Sequence, residues 1–184
     1  MRASLALPLR TDRLVLRPYT TTDVEPTLDY YRNPAVSRFL LTEPFGFEDA
    51  QQAVERRRQR THPTQPGDTL ALVVENDGRV VGDVVLELLG ERASMGEIGW
   101  CFHPRYAGRG FATEAASALL DLAFGHYELH RVKAQMDARN TASARLCERL
   151  GMTKEAHLRQ DWWSKDEWTD TLVYAVLSEE WKVG

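Results

Sequence analysis

Residues 13–19 alternate, with Leu14, Leu16 and Pro18 on one side and Arg13, Val15 and Arg17 on the other. This period of two predicts a strand that is buried on one face. Further stretches share the apolar and β-branched composition of strands: 69–76, 79–89, 95–103, 131–138 and two long runs between Thr153 and Trp181. An Asp77-Gly78 pair has the sequence of a tight turn and joins two of them into a hairpin.

Four segments show the three- and four-residue apolar spacing of helices. The first begins at Thr22 or Asp23 and ends before Pro34. The other three cover 47–60, 110–126 and 141–150. Gly151 follows the last segment and is suited to a left-handed position after a helix. The resulting order, β-α-α-β-β-β-α-β-α-β-β, lacks a regular βαβ alternation. It therefore predicts a mixed sheet with helices.

The composition indicates a single domain that spans residues 1–184. With 43% hydrophobic and 27% charged residues, the chain can bury a sizeable core. No apolar run approaches the ~20 residues of a membrane helix. A net charge of −4 argues against nucleic acid as the main partner and slightly favours an amine-bearing substrate.

Cysteine and histidine usage points to a cytoplasmic protein without a metal. Cys101 and Cys147 are too few for a disulfide framework or a zinc site, and we expect them to be buried thiols in a reducing compartment. The five histidines lack metal-ligand spacing. The short apolar run from Ala3 to Leu9 is interrupted by Pro8, which does not fit a signal sequence.

The segment from Glu97 to Glu114 reads as a strand, a glycine-rich loop and a helix. Backbone N–H groups of such a loop and of the first helical turn form an anion site, so we expect it to bind a phosphate or pyrophosphate. A P-loop is excluded because Phe111 follows Gly110. A dinucleotide fingerprint fits poorly because Thr113 replaces its third glycine. A glycine-rich turn without a ligand is the remaining alternative.

The motif Arg105-x-x-Gly108-x-Gly110 resembles the acyl-CoA pyrophosphate loop of the GNAT superfamily of N-acetyltransferases. Further motifs of its RimJ/RimL branch, the ribosomal-protein N-terminal acetyltransferases and their relatives, occur along nearly the whole chain. They are Thr11-x-Arg13-Leu14-x-Leu16-Arg17-Pro18, Glu97-Ile98-Gly99-Trp100, Gly110-Phe111-Ala112-Thr113-Glu114-Ala115, Asn140-x-x-Ser143, Leu150-Gly151-Met152, and Asp170-x-x-x-Tyr174-Ala175 with Glu180-Trp181. A series of motifs in the family's order is far more specific than one loop.

The resemblance implies an α+β fold whose central, mostly antiparallel sheet of about seven strands is flanked by helices and splays open between its fourth and fifth strands. It implies that the coenzyme arm enters this gap. The implied coenzyme-binding residues are Trp100, Cys101, Phe102, Arg105, Gly108, Arg109, Gly110, Phe111, Ala112, Thr113, Asn140 and Ser143. Asn140 also stands where a helix N-cap belongs, and Glu114 suits a stabilising position in the first turn of a helix.

Acyl transfer to an amine requires a neutral amine, an oxyanion donor and a route for the thiolate proton. Glu97 is our candidate base because it precedes the loop on the strand beside the implied gap. A backbone N–H near Trp100 or Cys101 is the candidate oxyanion donor. Many relatives carry Tyr at the position of Cys147, so the acid remains open between Ser143, a water and no acid.

Two clusters have alternative interpretations. Trp162, Trp163 and Trp168, with His157, Arg159 and Asp161, form the core of the final hairpin or line the acceptor side. The four arginines between Arg56 and Arg60 form a solvated helix end or contact a phosphate.

We therefore expect an enzyme that transfers an acetyl group from acetyl-CoA to a primary amine, on a protein N-terminus or a small molecule. Two alternatives keep the same fold: a different acyl donor such as succinyl-CoA, and a regulatory acyl-CoA-binding module without turnover. We expect no metal, nucleic acid or membrane partner, and a homodimer is left open.

Overall fold

The computed structural model describes residues 5–181. Most of the apolar run at the N-terminus that bears on targeting, Ala3–Leu9, is described, but its first residues lie outside this range. The strands are β1 (Leu9–Arg10), β2 (Val15–Pro18), β3 (Thr69–Asn76), β4 (Arg79–Leu89), β5 (Met95–Phe102), β6 (Arg131–Asp137), β7 (Thr153–Ser164) and β8 (Glu167–Leu177). The helices are α1 (Val24–Tyr31), α2 (Pro34–Ser37), α3 (Phe47–Arg58), α4 (Phe111–Gly125) and α5 (Thr141–Arg149).

The eight strands form one sheet in the order β1-β2-β3-β4-β5-β6-β8-β7. Only β5 and β6 pair in parallel, and all other neighbours are antiparallel. This confirms the α+β class and the mostly antiparallel sheet. The structure has one strand more than predicted, because the two-residue β1 is too short to show a periodic pattern.

The sheet opens between β5 and β6. The two strands pair only at Met95–Arg131, Gly96–Val132 and Glu97–Lys133, and the remaining length of β5 has no partner on that side. On its other side β5 pairs with β4 along its whole length. The predicted splay is thus present, with its closed end at Glu97.

Both faces of the sheet are covered by helices. The larger core lies on the side of α4 and α5, and it includes Leu119 of α4 and Cys147 of α5. On the opposite face, smaller clusters join α3 to β3 and the tyrosines of α1 to Cys101 of β5. Leu14 and Leu16 are both buried, as their alternation predicted.

The predicted first helix differs in its N-terminal turn. Residues Thr21–Asp23 form a 3₁₀ turn, and α1 begins at Val24. The carboxylate of Asp23 accepts a hydrogen bond from the Thr20 N–H at 2.7 Å and forms an ion pair with Arg17 at 2.8 Å. Asp23 is thus the N-cap residue of α1, as one of the two expected candidates, but its carboxylate makes no capping hydrogen bond to the helix and binds Thr20 and the strand β2 instead.

Candidate active site

A cavity of about 660 Å³ lies at the gap between β5 and β6. Side chains alternate along a strand, so β5 contributes to the cavity from both faces of the sheet. Ile98 and Trp100 pack on the core of the α4 and α5 side, whereas Cys101 packs with tyrosines of α1 on the other side. The gap therefore joins the two faces of the sheet in one continuous space.

The β4–β5 register determines which backbone groups face the gap. The N–H of His103 donates to the carbonyl oxygen of Val81 at 2.9 Å, and the register continues without interruption into β5. In an antiparallel pair every second residue bonds to the partner strand. Ile98, Trp100 and Phe102 therefore direct their N–H and C=O groups toward the gap, whereas Cys101 directs its own toward β4.

The glycine-rich loop ends at the N-terminus of α4. Gly108 and Gly110 have φ values of +75° and +80°, a left-handed conformation that costs glycine little and other residues considerably more. Gly110 is the N-cap residue of α4. The N–H groups of Phe111, Ala112 and Thr113 in the first turn have no acceptor within the helix and can bind an anion.

Phe111 contributes its backbone only. Its ring is buried, and the guanidinium of Arg13 lies 5.0 Å from the ring centroid. The same arginine donates to the carbonyl oxygen of Arg109 at 2.9 Å. The residues before β2 therefore hold the loop in place from behind.

Glu114 has the stabilising role that its position predicted. Its carboxylate accepts hydrogen bonds from the Thr11 hydroxyl at 2.5 Å and the Arg13 N–H at 2.9 Å, and it pairs with the Arg13 guanidinium at 2.6 Å. Burial raises the pKa of this carboxyl, but these donors outweigh burial and hold the pKa below its usual value. Glu114 thus links α4 to the segment between β1 and β2.

Arg149 is a loop neighbour that sequence analysis missed. Its Nε donates to the Thr113 hydroxyl at 3.1 Å, which places the last residue of α5 beside the first turn of α4. The predicted loop residues Arg105 and Arg109 are exposed, and Arg109 lies over the ring of Tyr106 at 5.5 Å. Arg149 therefore brings a guanidinium to the first turn of α4, next to the loop that carries Arg105 and Arg109, a suitable setting for a pyrophosphate. A residue 36 positions away gives no local signal for this contact.

Three predicted site residues meet at the open side of β5. The side-chain oxygen of Asn140 accepts a hydrogen bond from the Ser143 N–H at 3.1 Å, so Asn140 is the N-cap residue of α5 as predicted. The indole N–H of Trp100 donates to the Ser143 hydroxyl, also at 3.1 Å. This hydrogen bond links β5 directly to α5.

Glu97 lies at the closed end of the gap. Its carboxylate is 3.1 Å from the ammonium of Lys133 and accepts a hydrogen bond from the Gln135 amide at 3.1 Å. Both partners lie on β6, and the Glu97–Lys133 pair is the last one before the strands separate. Glu97 lines the cavity while its side chain remains partly exposed.

Cys101 differs from the other residues expected along the coenzyme arm. Its side chain is buried against Tyr30 and Tyr31, on the face opposite to Trp100 and Phe102. Burial, followed by the charge of Asp83, raises the pKa of this thiol far above its usual value. The thiol therefore lines the side of the cavity where Glu97 lies, and it stays protonated.

Of the four arginines expected to be solvated or to contact a phosphate, Arg56, Arg58 and Arg60 are exposed, but Arg57 is largely buried, so the solvated interpretation is wrong for this residue. The Arg57 guanidinium pairs with Asp83 at 3.3 Å and donates to the hydroxyls of Tyr19 and Tyr31 at 3.0 and 2.7 Å. Tyr30 donates to the same carboxylate at 2.6 Å. Sequence analysis overlooked Asp83, although an acid within the otherwise apolar run of residues 80–86 in β4 indicates a buried charge that needs a partner.

Cys147 occupies a closed position in α5. Its side chain is fully buried in the core, and burial raises the pKa of the thiol to about 12. Cys147 does not line the cavity of the gap. The hydroxyl of Ser143, one turn earlier in α5, does line the cavity and accepts a hydrogen bond from Trp100 of β5.

The tryptophans of the final hairpin do not form its core, which corrects one of the two interpretations. Trp162, Trp163 and Trp168 are 49%, 55% and 57% exposed. Trp162 and its neighbour Asp161 line the cavity, whereas Trp163 and Trp168 stack edge to face at 5.4 Å outside it. Side chains alternate along β7, so Trp162 and Trp163 lie on opposite faces of the strand.

Within residues 5–181, no group of three or more His, Cys, Asp or Glu side chains is placed to hold a metal ion. In the same part of the chain, no helix has the length and apolar character needed to cross a membrane. Cys101 and Cys147 are both free and buried, as expected.

The splayed sheet, the glycine-rich loop at the N-terminus of α4 and the connecting cavity define an acyl-CoA-dependent N-acetyltransferase. Residues 13–153 match the family model described as an acetyltransferase (GNAT) domain. The chain belongs to this GNAT family, and acetyl transfer is its activity.

Similar proteins cover nearly the whole chain. The uncharacterized N-acetyltransferase YnaD of Bacillus subtilis is 29% identical over 174 residues, which cover 94% of this chain and 98% of YnaD. A GNAT-family acetyltransferase structure from Bacillus anthracis superposes with a TM-score of 0.85 at 29% identity, covering 95% of this chain and 100% of the other. RimL, a ribosomal L7/L12 alpha-N-protein acetyltransferase in complex with coenzyme A, superposes with a TM-score of 0.77 at 17% identity, covering 91% and 95%.

Proposed function

We propose that this enzyme transfers the acetyl group of acetyl-CoA to a primary amine, by direct attack of the amine within a ternary complex. The observation that carries the proposal is the cavity at the β5–β6 gap. It is lined by Trp100 and Ser143 on the α5 side and by Glu97 on the other, so that two substrates can approach from opposite faces of the sheet. Holding both reactants in this way removes a large entropic part of the barrier.

The residues around the loop fit acetyl-CoA, which supplies an activated acyl group as a thioester. The left-handed Gly108 and Gly110 leave the N–H groups of the first α4 turn accessible to a pyrophosphate. A Cβ added at Gly108 would meet no atom within 4 Å, so this side of the loop has space for a ligand. Along the gap, the free backbone groups of Ile98, Trp100 and Phe102 offer hydrogen bonds to the amides of the coenzyme arm.

Glu97 is proposed as the base, acting directly or through a water. An acceptor amine near pKa 10 is mostly protonated at pH 7, so a carboxylate that removes the proton speeds attack. The backbone N–H of Trp100 faces the gap and is proposed to stabilise the oxyanion. Ser143 is proposed to donate a proton to the departing thiolate.

The acceptor and the cellular setting are also part of the proposal. The RimJ/RimL motifs and the RimL-like fold support a protein N-terminus as one acceptor class, and a small-molecule amine is the other. We propose a cytoplasmic enzyme, since its two free cysteines suit a reducing compartment. A homodimer, for which the exposed edge strand β7 offers a surface, can be checked by light scattering.

A panel of amines with acetyl-CoA and succinyl-CoA tests the proposal. The release of coenzyme thiol should depend on the amine, and mass spectrometry should find one acetylated amine per thiol released. If transfer from succinyl-CoA is faster, succinyl-CoA and not acetyl-CoA is the acyl donor. Tight acetyl-CoA binding without amine-dependent thiol release would identify a regulatory module and contradict the proposed activity.

A further inference from the structure

The charges around the cavity show what kind of amine can enter it. Five carboxylates line it within residues 5–181: Asp83, Glu97, Asp137, Asp161 and Glu167. Four of them are in ion pairs: Asp83 with Arg57 at 3.3 Å, Glu97 with Lys133 at 3.1 Å, and Asp137 and Glu167 with Arg139 at 2.7 and 2.8 Å. Of these five carboxylates only Asp161 forms no ion pair with the described residues, so the cavity has one free counterion for an ammonium group.

The remaining cations add positive charge to the same space. Arg38 lines the cavity with its guanidinium over the Phe39 ring at 5.1 Å. Lys165 also lines it and donates to the backbone carbonyl of Ser37. An acceptor with several ammonium groups would meet these cations and find few free carboxylates. Desolvating an unpaired charge is costly, so this balance disfavours a polyamine.

The apolar part of the lining is unusually open to solvent. Leu41 is 74% exposed and Trp162 is 49% exposed, and both line the cavity together with Phe39 and Leu40. The leucines and Phe39 lie on the segment after α2, and Trp162 lies on β7. Exposed apolar side chains that converge on one cavity are typical of a surface that a ligand covers.

We propose that the acceptor is a small monoamine with an apolar or aromatic body, which Phe39, Leu41 and Trp162 hold while its single amine points to the gap. This inference rests on the proposed function and narrows it. The aromatic side chains also favour a planar body, because aromatic pairs contribute attraction beyond the area that they bury.

Steady-state kinetics with three amines test the inference. They are 2-phenylethylamine, spermidine and a tetrapeptide with a free N-terminus, each with acetyl-CoA and a thiol-release readout. We expect kcat/KM for 2-phenylethylamine to exceed that for spermidine by about tenfold or more, within the range that apolar pockets discriminate. A higher kcat/KM for spermidine or for the tetrapeptide would overturn the inference and leave the proposed acetyl transfer intact.

A pair of tryptophan variants locates the effect. Trp162→Ala should raise KM for 2-phenylethylamine about tenfold with little change in kcat, because it removes binding surface away from the reacting atoms. Trp163→Ala is the matched control, since Trp163 is equally exposed on the same strand and does not line the cavity. Leu41→Ala, at a largely exposed position that carries little risk to folding, should raise KM in the same direction.

The outcomes distinguish a failure of the inference from a failure of the proposed function. If Trp162→Ala and Leu41→Ala leave KM unchanged, the apolar wall does not bind the acceptor and the inference is overturned. If none of the amines is acetylated although calorimetry shows bound acetyl-CoA, the proposed function fails, and the inference fails with it.

Discussion

The indole N–H of Trp100 donates a hydrogen bond of 3.1 Å to the hydroxyl of Ser143, across the open side of the splayed sheet. An indole N–H can only donate, so the Ser143 oxygen uses a lone pair to accept it. The hydroxyl proton of Ser143 then remains free to be given to another group. This bond links the strand with the proposed oxyanion donor to the helix with the proposed acid.

Ser143→Ala should lower kcat about ten- to a hundredfold, as expected for the loss of an acid, and leave acetyl-CoA affinity within a few-fold. Trp100→Phe should shift kcat in the same direction, because Ser143 loses its fixed orientation. The double variant should lose no more than Ser143→Ala alone, since the two side chains act as one unit. Additive losses, or a change confined to KM, would show that the two residues act independently.

Cys147→Ala should keep kcat within about threefold and lower stability by about 1 kcal/mol through a small cavity. A thiol with a pKa of about 12 gives its proton uphill to a coenzyme thiolate whose ordinary pKa is about 8.5. Kinetics and a melting curve on the same preparation check both parts. A loss of kcat near a hundredfold, with melting and acetyl-CoA affinity preserved, would instead make Cys147 the acid.

Glu97→Gln should lower kcat/KM about a hundredfold, because the amide keeps the shape of the side chain and loses its basicity. The acidic limb of the pH profile should flatten, and the Kd of acetyl-CoA should remain near that of the wild type. Glu87→Gln is the matched control, since Glu87 lies directly opposite Glu97 on β4 and does not line the cavity. An unchanged pH profile in Glu97→Gln would assign this carboxylate to structure.

Gly110→Ala should weaken acetyl-CoA binding roughly five- to 150-fold, or about 1–3 kcal/mol, through backbone strain and displaced N–H groups. The backbone at position 110 has a φ of +80°, and the added Cβ would lie 3.3 Å from the Arg13 guanidinium. Gly67→Ala provides the control, because Gly67 has a φ of +87°, does not line the cavity and has no atom near its Cβ position. Equal affinities of the two folded variants in calorimetry would remove the loop from the coenzyme site.

Arg57→Met should lower the free energy of unfolding by about 3 kcal/mol, because it leaves the Asp83 carboxylate buried without its cation. The side chains of Arg57 and Asp83 are only 15% and 3% exposed. Urea denaturation measures the change, and Arg56→Met at the exposed neighbouring position should leave the midpoint unaltered. If both variants unfold at the same urea concentration, the pair contributes nothing to stability.

Local patterns were enough to predict the longer elements and the glycine-rich loop, whereas the two-residue β1 and the four-residue α2 are too short to show a period. Alternation along 13–19 placed Leu14 and Leu16 inside, and the spacing of Gly108 and Gly110 before a helix indicated an anion site. Such signals succeed because the period of a segment states which of its faces is apolar, and because a left-handed turn needs glycine. The first helical turn and the hairpin tryptophans show where such signals mislead, since composition alone does not tell a covered face from an open one.

Contacts between distant segments needed the tertiary structure. Arg57 meets Asp83, Trp100 meets Ser143, and Arg149 meets Thr113, over separations of 26, 43 and 36 residues. No periodic pattern encodes these pairs, because they depend on which strands become neighbours in the sheet. The sequence by itself therefore determined the fold class and the glycine-rich loop before α4. Only the packing of β6 beside β5 created the gap, since the two strands pair at one end and part at the other, and this decided which side chains line the cavity.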